Sequence, residues 1–447
     1  MSQKRGKWVG ILVSLLAIAM LVGCSGNKDT GQKPSASDSG SKAIKLKFVG
    51  RGFSNLVNLP GYEDRTKNVG DYLKLIADEY TKLHPEVTFD VLALNAADGT
   101  TQQLDVEIAG GNVPNVMFDQ DKFSSKYKGK GLLETLDGYL TQEERNDFIS
   151  GALPDKGAWK IPMYFSPKLI ALNKTLFEKA GAANLLPKPD SRNWTTDEYL
   201  KALQAVNNPP SVYATILFAK TPSAQESIMG YFWPFGAQMF KPGDYGQMAL
   251  NSPEGLAALK FYKGLLDSKL TVPSPAGLTD DDMWAMFEKQ QLAVAPEVPL
   301  FESMAKDNGF EVYYVAYPHP PGKDKSPMAT FTESMTVFKN DDANVVEASV
   351  KFAKYVADVW GPVLAATRDS FPLRNSQTDK VELSSEKKAV LELIRKEGMI
   401  QIGQDLPQWN DIREKYVEMD QMVFLNNKTP EEALKWFEDE VNGLLKK

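Results

Sequence analysis

The sequence is poor in the residues that disulfides, metals and redox chemistry require. Its 447 residues include one cysteine and two histidines, so no disulfide closes within the chain and no Cys/His zinc pattern is written. His84 precedes Pro85 and His319 lies within YPHPPG; no H-E-x-x-H pair or acidic calcium loop accompanies them. There is no Gly-x-Ser-x-Gly elbow, Walker loop or full Gly-x-Gly-x-x-Gly. Gly129-Lys130-Gly131 starts the last pattern, but Glu134 stands where its third glycine belongs. No cofactor and no metal is therefore expected. Basic residues form no long run beyond the N-terminus, and net charge is −7 with pI near 5.3, which removes electrostatic support for a nucleic-acid partner.

What is present is an ordinary globular balance, 43% hydrophobic and 24% charged, in a chain long enough for two or three domain-sized cores. The N-terminus differs. Lys4, Arg5 and Lys7 precede an apolar run over residues 8–22, of secretory h-region length and short for a membrane span. It ends in Leu21-Val22-Gly23-Cys24, which resembles the lipobox of bacterial lipoproteins; the resemblance implies cleavage after residue 23 and acylation of Cys24, palmitate included. Loss of residues 1–23 removes three basic and no acidic side chains, leaving a mature charge of roughly −10. Residues 25–42 hold no apolar residue larger than Ala, a flexible tether spanning up to about 60 Å and averaging about 25 Å.

From residue 43 an α/β rhythm begins. Ile44, Leu46 and Phe48 alternate with Lys45 and Lys47; Val69, Tyr72, Leu73, Ile76, Tyr80 and Leu83 recur at helical spacing before Pro85; Val87, Phe89 and Val91 alternate again. A helix is expected from about Thr101 to Gly110-Gly111, then a buried strand from Asn115 to Phe118. Ligands of parallel sheets gather beyond the carboxyl ends of strands, which places Arg51, Asn95 and Asp119. Thr195/Glu198 and Thr141/Glu144 have capping-box spacing, with Trp194 and Tyr199 at staple positions; Ser252-Pro253 and Thr429-Pro430 are further helix starts.

Two chemistries remain open from the residues. Asp280-Asp281-Asp282 with Glu288, or Glu297 with Glu333, are the carboxylates a glycosidase would need, although acidic residues at a helix start also complement its dipole. Large rings occur in Trp159 to Phe165, Tyr231-Phe232-Trp233-Pro234-Phe235, Met283-Trp284 and Gln408-Trp409; flat rings beside polar groups suit sugars. Trp284, with Phe287 at helical spacing, is expected to be core. Trp233→Ala is expected to abolish a ligand-induced melting shift and leave the free protein's melting nearly unchanged.

From residue 43 onward the chain resembles the extracellular solute-binding proteins of ABC sugar importers, the maltose-binding-protein-like class. The resemblance is carried in order by IAGGNVPNVMFDQ, GLLETLDGYL, KIPMYFSPKLIALNKTLFEKAGA, NWTTDEYLKAL, LNSPEGLAALKFYKGLLDSKL, FEKQQLAVAPEV, TESMTVFKNDDANVVEASVKFAKYVAD, FPLRNS and TPEEALKWFEDEVNGLL. It implies a two-lobed class II periplasmic-binding-protein fold, α/β, with a ligand cleft between residues 43–160 plus 328–371 and residues 161–327 plus 372–447. The implied ligand positions are Arg51, Phe53, Asp119, Tyr164, Trp233, Phe235, Glu297, Glu333, Arg368, Phe371 and Trp409. The family often has a Gly-rich segment where Thr332-Glu333-Ser334-Met335 stands, so Glu333 is either a ligand carboxylate or a partner within its lobe. The family often carries a Trp in the turn that here holds Glu297. The implied partners are a carbohydrate, with Arg51 and Arg368 leaving room for an acidic one, ABC permease subunits, and the membrane through Cys24. The implied protein is a monomer on the outer face of the cell membrane, or in the periplasm where there are two membranes. It is not an enzyme; a secreted glycosidase and a surface adhesion module are the rival readings.

Overall fold

The computed structural model describes residues 43–446 except 54–55, 95–99, 150–151, 154–155, 242–243, 297–301, 369, 379–380, 382, 401 and 405. The signal segment, Cys24, the tether, Asn95 and Glu297 lie outside the described residues. Among those described, no helix is long and apolar enough to cross a membrane.

The strands are β1 (Ile44–Arg51), β2 (Val87–Leu94), β3 (Val116–Gln120), β4 (Ile161–Pro167), β5 (Ile170–Asn173), β6 (Phe240–Lys241), β7 (Asp244–Met248), β8 (Val294–Pro296), β9 (Val312–Val315), β10 (Met328–Val337), β11 (Phe371–Pro372) and β12 (Met399–Ile400). β1 alternates through Phe48 and is then buried from Val49 to Arg51, because it lies between β2 and β3, parallel to both. The helix Asp71–Leu83 crosses between β1 and β2 and buries Tyr72, Leu73, Ile76 and Tyr80, as their spacing predicts. Val69 and Leu83, the ends of that stripe, are exposed. Gly70 precedes the helix with φ +90, and a Cβ there would come within 2.4 Å of the Ala93 Cβ, so turn geometry and close packing both require glycine.

The larger sheet has the order β11-β4-β10-β3-β1-β2, with β12 on β10. β10 returns from far along the chain and runs antiparallel to both β3 and β4. β4 stays in this sheet through Pro167, so the chain leaves it after the boundary of residues 160 and 161 expected from sequence. The second sheet is the antiparallel trio β8-β5-β9, and β6 pairs with β7.

Helix starts follow the sequence signals. Thr141 with Glu144, Thr195 with Glu198 and Thr429 with Glu432 form capping boxes, Ser252 caps the helix Pro253–Asp267, and the Trp194 and Tyr199 rings meet edge to face at 4.9 Å. Thr279 and Asp282 make another box at the head of Asp280–Glu288, so the acidic triplet is a helix first turn. On that helix Met283 and Phe287 are buried whereas Trp284 is 38% exposed. The expectation that Trp284 is core is corrected: adjacent helical positions point about 100° apart, and Met283 takes the inward place.

In the helix Trp409–Phe424, Asp420 is fully buried, and the Tyr262 hydroxyl donates to its Oδ1 at 2.6 Å. Burial pushes its carboxyl up to about 8, against the hydrogen bonds of Tyr262 and Tyr416. An unfolded Asp ionises near 4, so the folded chain holds an extra proton between those values. The contribution of Asp420 to stability should be greatest below about pH 4, decline by about 1.4 kcal/mol per pH unit toward pH 8, and then level off. Urea unfolding across pH should show Asp420→Asn losing this component of the slope.

Candidate functional site

The carboxyl ends of β1 and β3 carry charge into the interior. Arg51 closes β1, is 5% exposed, and its Nε donates to Asp119 Oδ1 at 2.8 Å while a terminal nitrogen lies 3.4 Å from Oδ2. Its guanidinium also lies 3.8 Å from the centre of the Phe123 ring. Just past β3, Asp121 pairs with Lys160 and accepts from Ser334 Oγ at 2.6 Å. Burial permits these charges because each meets an opposite charge or a hydrogen bond.

Strand register aligns the next group. Glu333 stands opposite Gln120 on one side and Tyr164 on the other, and Tyr164 stands opposite Pro372. A bulge between Glu333 and Ser334 shifts the pairing with β4, the irregularity that re-aims side chains beside sites. Glu333 Oε1 accepts from Gln120 Nε2 at 3.0 Å and lies 3.4 Å from an Arg368 terminal nitrogen, whereas its Oε2 and the Tyr164 hydroxyl have no hydrogen-bond partner among the described residues. Burial raises the Glu333 carboxyl above its ordinary range, outweighing Arg368 and Gln120, and likewise raises the Tyr164 hydroxyl. Arg368 stacks on Phe53 at 3.7 Å, and the Phe118 ring contacts those of Phe53 and Tyr164.

Thus Arg51, Asp119, Phe53, Tyr164, Glu333 and Arg368 lie together through direct contacts or strand pairing. Glu333 has Gln120 and Arg368 as partners, and among the described residues one of its oxygens has none. Arg51 and Arg368 are paired with carboxylates of the protein, Asp119 and Glu333. Phe371 is fully buried on Phe165, with ring centres 5.6 Å apart. Trp233 is 2% exposed, Phe235 packs on Phe261, and Trp409 is fully buried with its Nε1–H unpartnered among the described residues.

A second buried centre is absent from the sequence reading. Glu226, on the short helix Ser223–Ser227, meets Lys122, Lys168 at 3.3 Å and Arg413 at 2.8 Å. Lys122 follows β3, Lys168 follows β4, and Arg413 belongs to the helix Trp409–Phe424, so four separate segments converge. Burial alone would raise the Glu226 carboxyl, but the three cations hold it well below the usual carboxylate range. The FDQDKF stretch carried a signal for Asp121 and Lys122, charge directly after a buried strand; for Glu226 and Arg413 no spacing gave one.

The model of the family described as bacterial extracellular solute-binding protein matches residues 64–358, more than half of the chain. A binding protein of Brucella abortus (strain 2308) is 23% identical over 394 residues, 85% of this chain and 90% of that protein. An ABC transporter solute-binding protein from Thermotoga lettingae TMO, bound with α-D-tagatose, superposes with TM-score 0.71 at 22% identity, covering 91% of this chain and 100% of that one. An ABC substrate-binding protein from Listeria monocytogenes in complex with cycloalternan gives 0.69 at 21% identity, over 90% and 98%. Maltose-bound MalE3 of T. maritima gives 0.70 at 16%, over 90% and 100%. The shared architecture is the two-lobed periplasmic binding fold.

Two substitutions test the geometry. Arg51→Met strands the buried Asp119 carboxylate and should cost about 3–5 kcal/mol in urea unfolding, with Arg51→Met/Asp119→Leu recovering most of it. Trp233→Ala should cost the free protein about 3–5 kcal/mol by opening a cavity, contrary to the unchanged melting expected from sequence.

Proposed function

We propose that this chain, which belongs to the family of bacterial extracellular solute-binding proteins, captures a carbohydrate, an oligosaccharide, between its two lobes and delivers it to an ABC importer. The family binds its solutes and does not transform them, and the protein is not an enzyme. The observation that carries the ligand reading is the row Tyr164, Glu333 and Gln120, in which a buried hydroxyl and a buried carboxylate oxygen lack partners among the described residues beside the Phe53, Phe118 and Tyr164 rings. Unsatisfied buried polar atoms are costly, and a sugar offers hydroxyls for them and CH faces for the rings. The sugars held by the Thermotoga, Listeria and T. maritima proteins support the same reading.

Lobe one then comprises the larger sheet with its helices, and lobe two the β8-β5-β9 sheet with the Trp409–Phe424 and Pro430–Leu445 helices. Ligand touching both lobes favours the closed form by its differential affinity for it. Asp119, Phe53, Arg51 and Arg368 shape the lobe-one wall; Trp233, Phe235 and Trp409 belong to the opposite side, and Phe371 supports Tyr164's strand. Acylated Cys24 and its tether keep the monomeric receptor near permease subunits at the outer face of the membrane.

A thermal-shift screen over oligosaccharides tests this, since a ligand of the native state at 100 times its Kd adds about 2.7 kcal/mol of stability. Tyr164→Phe removes a hydroxyl that has no partner among the described residues, so melting of the free protein should be unchanged. Affinity for the identified sugar should fall, by calorimetry, up to roughly tenfold. A sugar that shifts melting and is recovered intact supports the receptor; no shift with any sugar overturns the ligand class.

A further inference from the structure

Resting on the carbohydrate reading, we infer that the ligand carries a carboxylate, a uronic-acid oligosaccharide, which is held by Lys122 and Arg413 beside Glu226. Lys122 and Arg413 have no carboxylate partner other than Glu226 among the described residues. Two cations on one carboxylate leave a positive charge, and it is buried, since Lys122 is 7% and Arg413 6% exposed. Lys168 adds a third cation on the same carboxylate. Elsewhere along the strand ends Arg51, Lys160 and Arg368 are each met by a carboxylate, Asp119, Asp121 and Glu333.

Hydrogen-bond donors are left over at the same place. Among the described residues Arg413 Nε–H is buried without an acceptor, and so is Trp409 Nε1–H one helical turn earlier. An acceptor that is also negative satisfies both needs, and a carboxylate offers two oxygens in the plane that a guanidinium fork matches. Burial with the adjacent Arg413 pushes the Lys122 ammonium down to about 8, even against Glu226, which agrees with crowded positive charge. The centre adjoins the proposed sugar row: Phe331, two residues before Glu333 on β10, lies under Lys122 at 5.2 Å and Lys168 at 4.7 Å.

Calorimetry on the intact folded protein tests this with oligogalacturonides and oligoglucuronans, their carboxyl-reduced counterparts, and sulfated neutral oligosaccharides. The uronic forms should bind roughly 10- to 100-fold tighter than the reduced ones, the loss of a charge-assisted hydrogen bond, and binding should weaken with salt. Arg413→Gln and Lys122→Met should bring that ratio close to one, whereas Lys174→Gln, at a lysine that pairs with Glu311, should not. The reduced-ligand comparison uses the unaltered protein, so the test survives a variant that fails to fold. Equal binding of uronic and reduced sugars, or preference for the sulfated or neutral ones, overturns the carboxylate assignment and leaves the receptor reading standing. Binding of no sugar at all overturns both.

Discussion

Charge taken out of water must be met by opposite charge, and at the carboxyl ends of β1 and β3 that constraint ties distant parts of the chain together. Arg51 needs Asp119, Lys160 needs Asp121, and Glu226 needs cations from three other segments. An isolated buried ion costs several kcal/mol, so each of these groups admits only arrangements that bring its partner near. Hydrophobic burial supplies most of the driving force for both sheets, but apolar contact is tolerant of small shifts. Paired charges are less tolerant, and they hold the strand ends in register.

This arrangement also bears on how a two-lobed protein moves. Glu226 joins a residue following β3, a residue at the end of β4 and the Trp409–Phe424 helix. A carboxylate shared among segments from both proposed lobes changes its environment whenever they separate. In the proposed hinge motion its strength enters the balance between open and closed forms, together with any ligand placed beside it. The bulge at Glu333 and Ser334 acts more locally, turning one side chain toward Arg368 and Gln120 while leaving an oxygen unsatisfied.

Local grammar was legible in the chain. The capping boxes at Thr141, Thr195 and Thr429, the staple of Trp194 and Tyr199, the helix between β1 and β2, and the strand ending near Asp119 each rest on residues within a few positions of one another. Of the candidate site, the residues readable as strand ends, Arg51 and Asp119, came together as their positions suggested. Aromatic identity was a poorer guide. Trp284 has an apolar neighbour at helical spacing and still faces out, while Trp409 is wholly buried, because exposure depends on what another element places opposite the ring.

By itself the sequence determined the alternation of strands and helices, their caps, and the ordered set of segments that marks the family, since backbone propensity and side-chain period act over a few residues. Tertiary structure alone decided that Arg51 and Arg368 are spent on Asp119 and Glu333, that Tyr164 and Glu333 keep unpaired atoms, and that Lys122, Lys168 and Arg413 meet at Glu226. Those pairings span up to 187 positions. No local period encodes such a separation; it follows from where the sheets and the late helices pack, and only then do buried charges find their partners.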